Sequence, residues 1–134
     1  TDPSGPATPP SPTPSAAYDG RWAVLLVCES VREKGGLIKG YTNRFFVDVL
    51  EGRLRGQRGK VGQPNSLTMD GFIQTDGTAE IKANGLTGNP EYNVGHVESS
   101  MPFAYHLRGT FTPRSGKATR IELRPCEATF FKTE

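Results

Sequence analysis

The sequence is poor in the residues that usually mark a catalytic or metal site. It contains two cysteines, two histidines and one tryptophan in 134 residues. The cysteines form no Cys-x-x-Cys pair, so the spacing typical of zinc ribbons and thiol-disulfide oxidoreductases is missing. No apolar run approaches the roughly 18 residues that cross a bilayer; the longest, 22–28, has seven. We therefore expect no membrane insertion by this chain.

Candidate catalytic groups do not combine into a known motif. A three-ligand zinc site would need His96, His106 and a carboxylate such as Glu98, and nothing in their spacing favours this. Ser99 and Ser100 lack the glycine-flanked turn that exposes a serine nucleophile. We expect no catalytic residue, no metal and no cofactor, so that an enzyme is only a remote alternative.

Positive charge is also limited. The formal net charge is +2, and the densest basic run is Arg53, Arg55, Arg58 and Lys60. A surface that stacks single-stranded nucleic acid would place aromatic residues within such a run, but none occurs between positions 50 and 70. We expect no nucleic-acid partner, and we interpret the run as a solvated strand edge, where charge prevents sheet-to-sheet aggregation.

The first 17 residues differ from the rest. Residues 1–16 contain six of the eleven prolines, and such a segment buries too little apolar surface to offset the entropy cost of ordering it. We predict that 1–17 is a disordered proline-rich linker and that 18–134 is one domain. The alternative is an arm that docks on a partner of the SH3 kind. We expect Thr1 to follow a removed signal peptide, a lipid-anchor cysteine or an upstream domain.

From Tyr18 onward, short runs with alternating polarity are separated by glycine, proline, aspartate and asparagine about every ten residues, which is typical of all-β domains. The pair Asp76-Gly77 predicts a tight hairpin. The first strand is apolar on both faces, so we expect it to be covered on both sides. The residues between the strands, including 30–36 and 86–102, are predicted as loops, without helices longer than one turn. The predicted strands are 21–29, 38–50, 53–57, 66–74, 78–84, 103–111, 117–123 and 126–132.

The cysteines suggest how these strands close. Cys28 ends the first strand and Cys126 begins the last, so in an up-and-down barrel of about eight strands the two would meet in an antiparallel pair within reach of a disulfide. Paired positions then sum to 154, which sets Val24 opposite Phe130. A disulfide closing this loop would contribute about 4 to 5 kcal/mol in the chain-entropy description. The alternatives are two free buried thiols and a β-sandwich with an inter-sheet disulfide.

The motif Gly20-Arg21-Trp22 at the start of the first strand resembles the opening of calycin-like barrels of the lipocalin and avidin type, and is similar to that of bacterial secreted metalloprotease inhibitors. This resemblance implies an up-and-down barrel in which Trp22 plugs one end. Lipocalins also pack a late arginine across that tryptophan, and Arg120 and Arg124 are the candidates. The avidin-type residues that contact biotin have no counterpart here.

A cluster of aromatic and basic residues follows in and after the long loop, which would lie over one mouth of the barrel, where ligands bind. The tentative ligand-binding residues are Tyr92, His96, Phe103, Tyr105, His106 and Arg108. We expect a binding module that recognises a small molecule, a glycan or a protein at this mouth; the alternative is an inhibitor of a secreted protease. A disulfide would place the module in the periplasm or outside the cell. The sequence leaves the oligomeric state open.

Overall fold

The computed structural model describes residues 16–93, 97–120 and 124–133. The described chain is built from β-strands and two single turns of 3₁₀ helix, at Ala16–Tyr18 and Pro90–Tyr92. The strands are β1 (Gly20–Cys28), β2 (Val31–Glu33), β3 (Gly36–Ile38), β4 (Tyr41–Leu50), β5 (Arg53–Arg58), β6 (Ser66–Ile73), β7 (Thr78–Leu86), β8 (Pro102–Phe111), β9 (Ser115–Arg120) and β10 (Cys126–Lys132).

Eight of these strands form a closed antiparallel barrel in the order β1-β10-β9-β8-β7-β6-β5-β4. The predicted all-β up-and-down barrel is therefore confirmed. The first and last strands pair as the cysteine positions indicated, with Val24 opposite Phe130 and Cys28 opposite Cys126. A disulfide joins the two cysteines, whose Cα atoms lie 4.0 Å apart. Because the ring is closed, β1 and β10 protect each other's backbone groups, and the barrel has no open edge.

The barrel interior follows from the two-residue alternation of strand side chains. One end is filled: Trp22 is fully buried, and its indole nitrogen donates to the Tyr18 carbonyl at 2.8 Å. The Phe111 ring lies 5.4 Å from Trp22 and 4.8 Å from Phe130. Trp22 thus closes this end, as the resemblance implied. The other end, which contains the disulfide, we call the mouth.

Three sequence-based expectations are wrong: the loop at 30–36, the covered outer face of β1 and the strand-edge position of the basic run. The predicted loop at 30–36 contains most of a hairpin formed by β2 and β3, so the next barrel strand begins at Tyr41 and not at position 38. The outer face of β1 is not covered, since Ala23 and Leu25 are half-buried and Val27 is 38% exposed. A closed ring does not require a second layer of structure over this face.

The basic run on β5 does not lie on a sheet edge, because β5 pairs with β4 on one side and with β6 on the other. Arg53 and Arg55 lie on the outer face of the barrel, 3.2 Å and 3.9 Å from the same Asp70 carboxylate. Their charge is therefore partly balanced by a neighbouring strand. In the described part of the chain, no helix has the length and apolar character needed to span a bilayer.

Candidate functional site

A cavity of about 750 Å³ opens at the mouth of the barrel. This volume falls in the range of small-molecule sites, roughly 300 to 1,000 Å³. The wall is formed by the mouth ends of β4, β6, β7, β8 and β9, together with the connection between β7 and β8. The filled end around Trp22 forces the free space toward the mouth, so the barrel is packed at one end and hollow at the other.

The connection between β7 and β8 is held in place by its own side chains. The Asn93 amide nitrogen donates to the carbonyls of Gly88 at 3.0 Å and Val97 at 2.8 Å. The Ser99 hydroxyl donates to the same Gly88 carbonyl at 2.8 Å. Lys39, just after β3, reaches this connection and pairs with Glu91 at 2.8 Å. These contacts fix the 3₁₀ turn beside the cavity and set Tyr92 in its wall.

Two aromatic pairs line the cavity. Tyr41 on β4 meets Tyr92 edge to face at 6.5 Å, while Phe103 and Tyr105 on β8 stack at 6.0 Å with their planes 12° apart. In the closed ring, β4 and β8 are separated by three strands in either direction. Tyr41 therefore projects from the wall opposite Phe103 and Tyr105, and a flat group placed between them would meet aromatic surface on both sides.

Arg124 provides a buried positive charge in the wall of the cavity. Its side chain donates to the main-chain carbonyls of Glu29 at 3.3 Å, Tyr92 at 2.7 Å and Lys39 at 2.8 Å. The residue is only 3% exposed, and its guanidinium carbon lies 5.2 Å from the Tyr41 ring centroid. All three partners are neutral carbonyls, so within the described chain no carboxylate balances this charge.

Tyr105 contributes a buried hydroxyl to the wall of the same cavity. Tyr105 is 2% exposed, and its hydroxyl has no hydrogen-bond partner among the described residues. Burial raises the pKa of Tyr105 above its ordinary value of 10, Tyr41 raises it further, and Arg120 and Arg124 oppose the shift. The group therefore stays protonated and can donate a hydrogen bond. Arg120 on β9 lies over the ring, 4.1 Å from its centroid.

The structure brings three of the six sequence-derived candidates to this cavity: Tyr92, Phe103 and Tyr105. His106 and Arg108 lie on the outer face of β8, both exposed, and Arg108 pairs with Glu80 at 2.9 Å. They face away because strand side chains alternate, and the inward positions of β8 are the odd ones. His96 lies outside the described residues.

Sequence reasoning missed Tyr41 and gave the two arginines a different place. The expectation that Arg120 or Arg124 packs across Trp22 is wrong, because both lie at the mouth, the opposite end of the barrel. Lys132 takes that place instead, with its ammonium 6.0 Å from the centroid of the Trp22 ring. The inward position of Arg120 could have been predicted, because it lies two residues after the buried Ala118 on the same strand.

Comparison with known proteins adds no assignment. No family model, curated protein or solved structure matches this chain. Among the described residues, no group of three or more histidine, cysteine, aspartate or glutamate side chains is arranged to hold a metal ion.

Proposed function

We propose that this domain is an extracytoplasmic binding module that holds a small molecule in the cavity at the barrel mouth. One observation carries the proposal: a barrel packed tightly at the Trp22 end leaves about 750 Å³ at the other, walled by aromatic rings and one buried cation. Sites for small ligands combine such apolar walls with a few polar groups that fix orientation.

The shape of the site favours a small molecule over a glycan or a protein. The cavity enters the barrel between β4 and β8, with Tyr105 in its wall and the connection after β7 at its rim. A protein partner would need a broad contact surface of roughly 800 Å² on each side, whereas a recessed volume encloses a compact ligand. The protease-inhibitor alternative has no comparable feature in the described residues.

The extracytoplasmic part of the proposal is supported by the disulfide between Cys28 and Cys126. Disulfides of this structural kind persist in oxidising compartments and are rare in the reducing cytosol. We therefore propose a periplasmic or secreted location. Counting thiols in protein taken from its native compartment, without reductant, tests it: no free thiol is expected, and two free thiols would contradict it.

Native mass spectrometry with a mixture of chemically diverse fragments tests the binding function. We expect at least one fragment to bind in a 1:1 complex that Asn43→Trp abolishes, because position 43 faces inward and an indole there would fill the cavity. Arg44→Trp is the matched control, since position 44 is exposed on the outside of the same strand. Binding that survives Asn43→Trp, or no binding by any fragment, would overturn the proposal.

A further inference from the structure

Among the described residues, Arg124 has no anionic partner, and this limits the chemistry of a bound molecule. A guanidinium group has five N–H donors, and three carbonyls accept from Arg124 in the described chain. Buried charges in proteins are normally paired. None of the described residues that line the cavity is acidic. A cation entering this space would be repelled, while an anion would find an opposite charge in a site sheltered from water.

The Tyr105 hydroxyl adds a donor in the wall of the same cavity. Arg120 lies 4.1 Å from the centroid of the Tyr105 ring, and Tyr41, Arg120 and Arg124 line the same cavity as Tyr105. A buried hydroxyl without a partner costs stability, and a ligand acceptor would remove that cost. The protein covers this oxygen, so neighbouring side chains have to move before an acceptor reaches it.

The opposed aromatic walls limit the shape of the ligand. Tyr41 and Phe103 are both half-buried and project from strands on opposite sides of the ring. A flat aromatic group between them gains stacking contacts on both faces in addition to the apolar area that it buries. A flexible aliphatic chain fills the same volume without this gain and loses more conformational entropy when it binds.

Resting on the proposed binding function, we propose that the ligand is a flat aromatic molecule bearing a carboxylate, with its ring between Tyr41 and Phe103 and its carboxylate toward Arg124 and Tyr105. In this proposal, aromatic side chains contact the faces of the ring, and the Arg124 guanidinium and the Tyr105 hydroxyl donate to the carboxylate. Hydrogen bonds to charged groups are stronger than neutral ones, so the carboxylate provides selectivity and the ring provides contact area.

Isothermal titration with four probes tests this assignment: 2-naphthoate, its neutral amide 2-naphthamide, the cation 2-naphthylmethylammonium, and the aliphatic acid decanoate. We expect 2-naphthoate to bind about tenfold or more tightly than 2-naphthamide, as one charge-assisted hydrogen bond allows. The ammonium compound should not bind, and decanoate should be weaker than 2-naphthoate. Equal affinity for the acid and the amide, or tighter binding of decanoate or the cation, would overturn the assignment.

Tyr105→Phe separates a binding role from a structural one, because it removes only the hydroxyl. We expect it to weaken 2-naphthoate binding about fivefold to tenfold while the fold is kept, and an unchanged affinity would refute the assigned contact. Arg108→Gln is the control, since it removes a polar group from the exposed outer wall of the same strand, away from the cavity. An equal loss in both variants would point to a general effect of charge or stability and would also refute it.

The two proposals fail in different ways. If decanoate or the ammonium compound binds and Asn43→Trp abolishes that binding, the cavity is a ligand site and only the aromatic carboxylate assignment is wrong. If 2-naphthoate binds equally to the Asn43→Trp and Arg44→Trp variants, it does not occupy the cavity, and the assignment again fails. A blank result for all four probes, together with a blank fragment mixture, removes both proposals.

Discussion

The guanidinium carbon of Arg124 lies 5.2 Å from the ring centroid of Tyr41, held there by bonds to carbonyls in three separate segments. The same side chain therefore ties the β1 end, the β3–β4 connection and the 3₁₀ turn together while it carries charge in the cavity wall. Arg124 therefore orders the mouth of the barrel and, in the proposed binding function, also contacts the ligand. Substituting Arg124 would disturb both roles at once, so binding is tested with variants at other positions.

Tyr105→Phe is expected to leave stability unchanged or to raise it. The Tyr105 hydroxyl is buried without a partner in the described chain, and removing an unsatisfied polar group should raise the free energy of unfolding by about 1 kcal/mol. Urea denaturation followed by tryptophan fluorescence measures this change. Tyr92→Phe, which removes a hydroxyl from a residue that is 37% exposed, serves as the control with no expected change. A loss above about 1 kcal/mol would reveal a hydrogen bond that our account lacks.

Phe130→Ala should destabilise the packed end of the barrel without altering the cavity. Phe130 is fully buried and lies 4.8 Å from Phe111, so truncation leaves a void and should cost about 3 to 5 kcal/mol. Phe131→Ala is the neighbouring control, since Phe131 is 54% exposed on the outer face. Thermal or urea unfolding of both variants checks the difference, and similar losses would contradict the inner and outer assignment of β10.

Removing the disulfide should lower the free energy of unfolding, mainly because the unfolded chain gains conformational entropy. The bridge joins positions 98 apart, and the chain-entropy description gives a contribution of about 4 to 5 kcal/mol for a loop of this length. The double variant Cys28→Ala/Cys126→Ala should therefore unfold at much lower urea concentration. Dithiothreitol should shift the wild-type midpoint in the same direction and leave the variant unchanged. A variant as stable as the wild type would show that β1 and β10 hold together without sulfur.

Alkaline pH should destabilise the fold partly through Tyr105. Its folded pKa is raised above the ordinary value of 10, so the native state favours the protonated phenol more than the unfolded state does. Below pH 10 this contribution is fully present, and it is lost as the pH rises above 10 toward the folded pKa. Absorbance at 295 nm should show one late-ionising tyrosine in the wild type that Tyr105→Phe lacks. Loss of an early-ionising tyrosine instead would contradict the buried environment.

Much of the fold could be predicted because it depends on local patterns. The alternation along each strand, the Asp76-Gly77 turn and the two cysteines were sufficient for the barrel and for the pairing of β1 with β10. The β2–β3 hairpin was missed because its strands have three residues each, too short for alternation to stand out. Its turn at Lys34-Gly35, followed by Gly36 at φ 117°, was the available signal.

The candidate site was predicted only in part, because it depends on contacts between distant segments. Phe103 and Tyr105 could be found from the apolar face of one strand. Arg124 could not, because its three partners are main-chain carbonyls, which every residue has, and they lie up to 95 positions away. Tyr41 lies opposite β8 only once the ring is closed. His106 faces outward because the even-numbered side chains of β8 point away from the barrel interior. Grouping aromatic and basic residues by their closeness in the sequence ignores this alternation.

The most direct test of the binding account is a ¹H–¹⁵N correlation spectrum of the ¹⁵N-labelled domain during titration with 2-naphthoate. We expect saturable shifts confined to the mouth, at the amides of Tyr41, Asn43, Phe103, Tyr105 and Arg124, while the amide signals of Trp22 and Phe111 at the packed end stay in place. Shifts spread over the outer wall around His106 and Arg108, with the mouth amides unmoved, would contradict it.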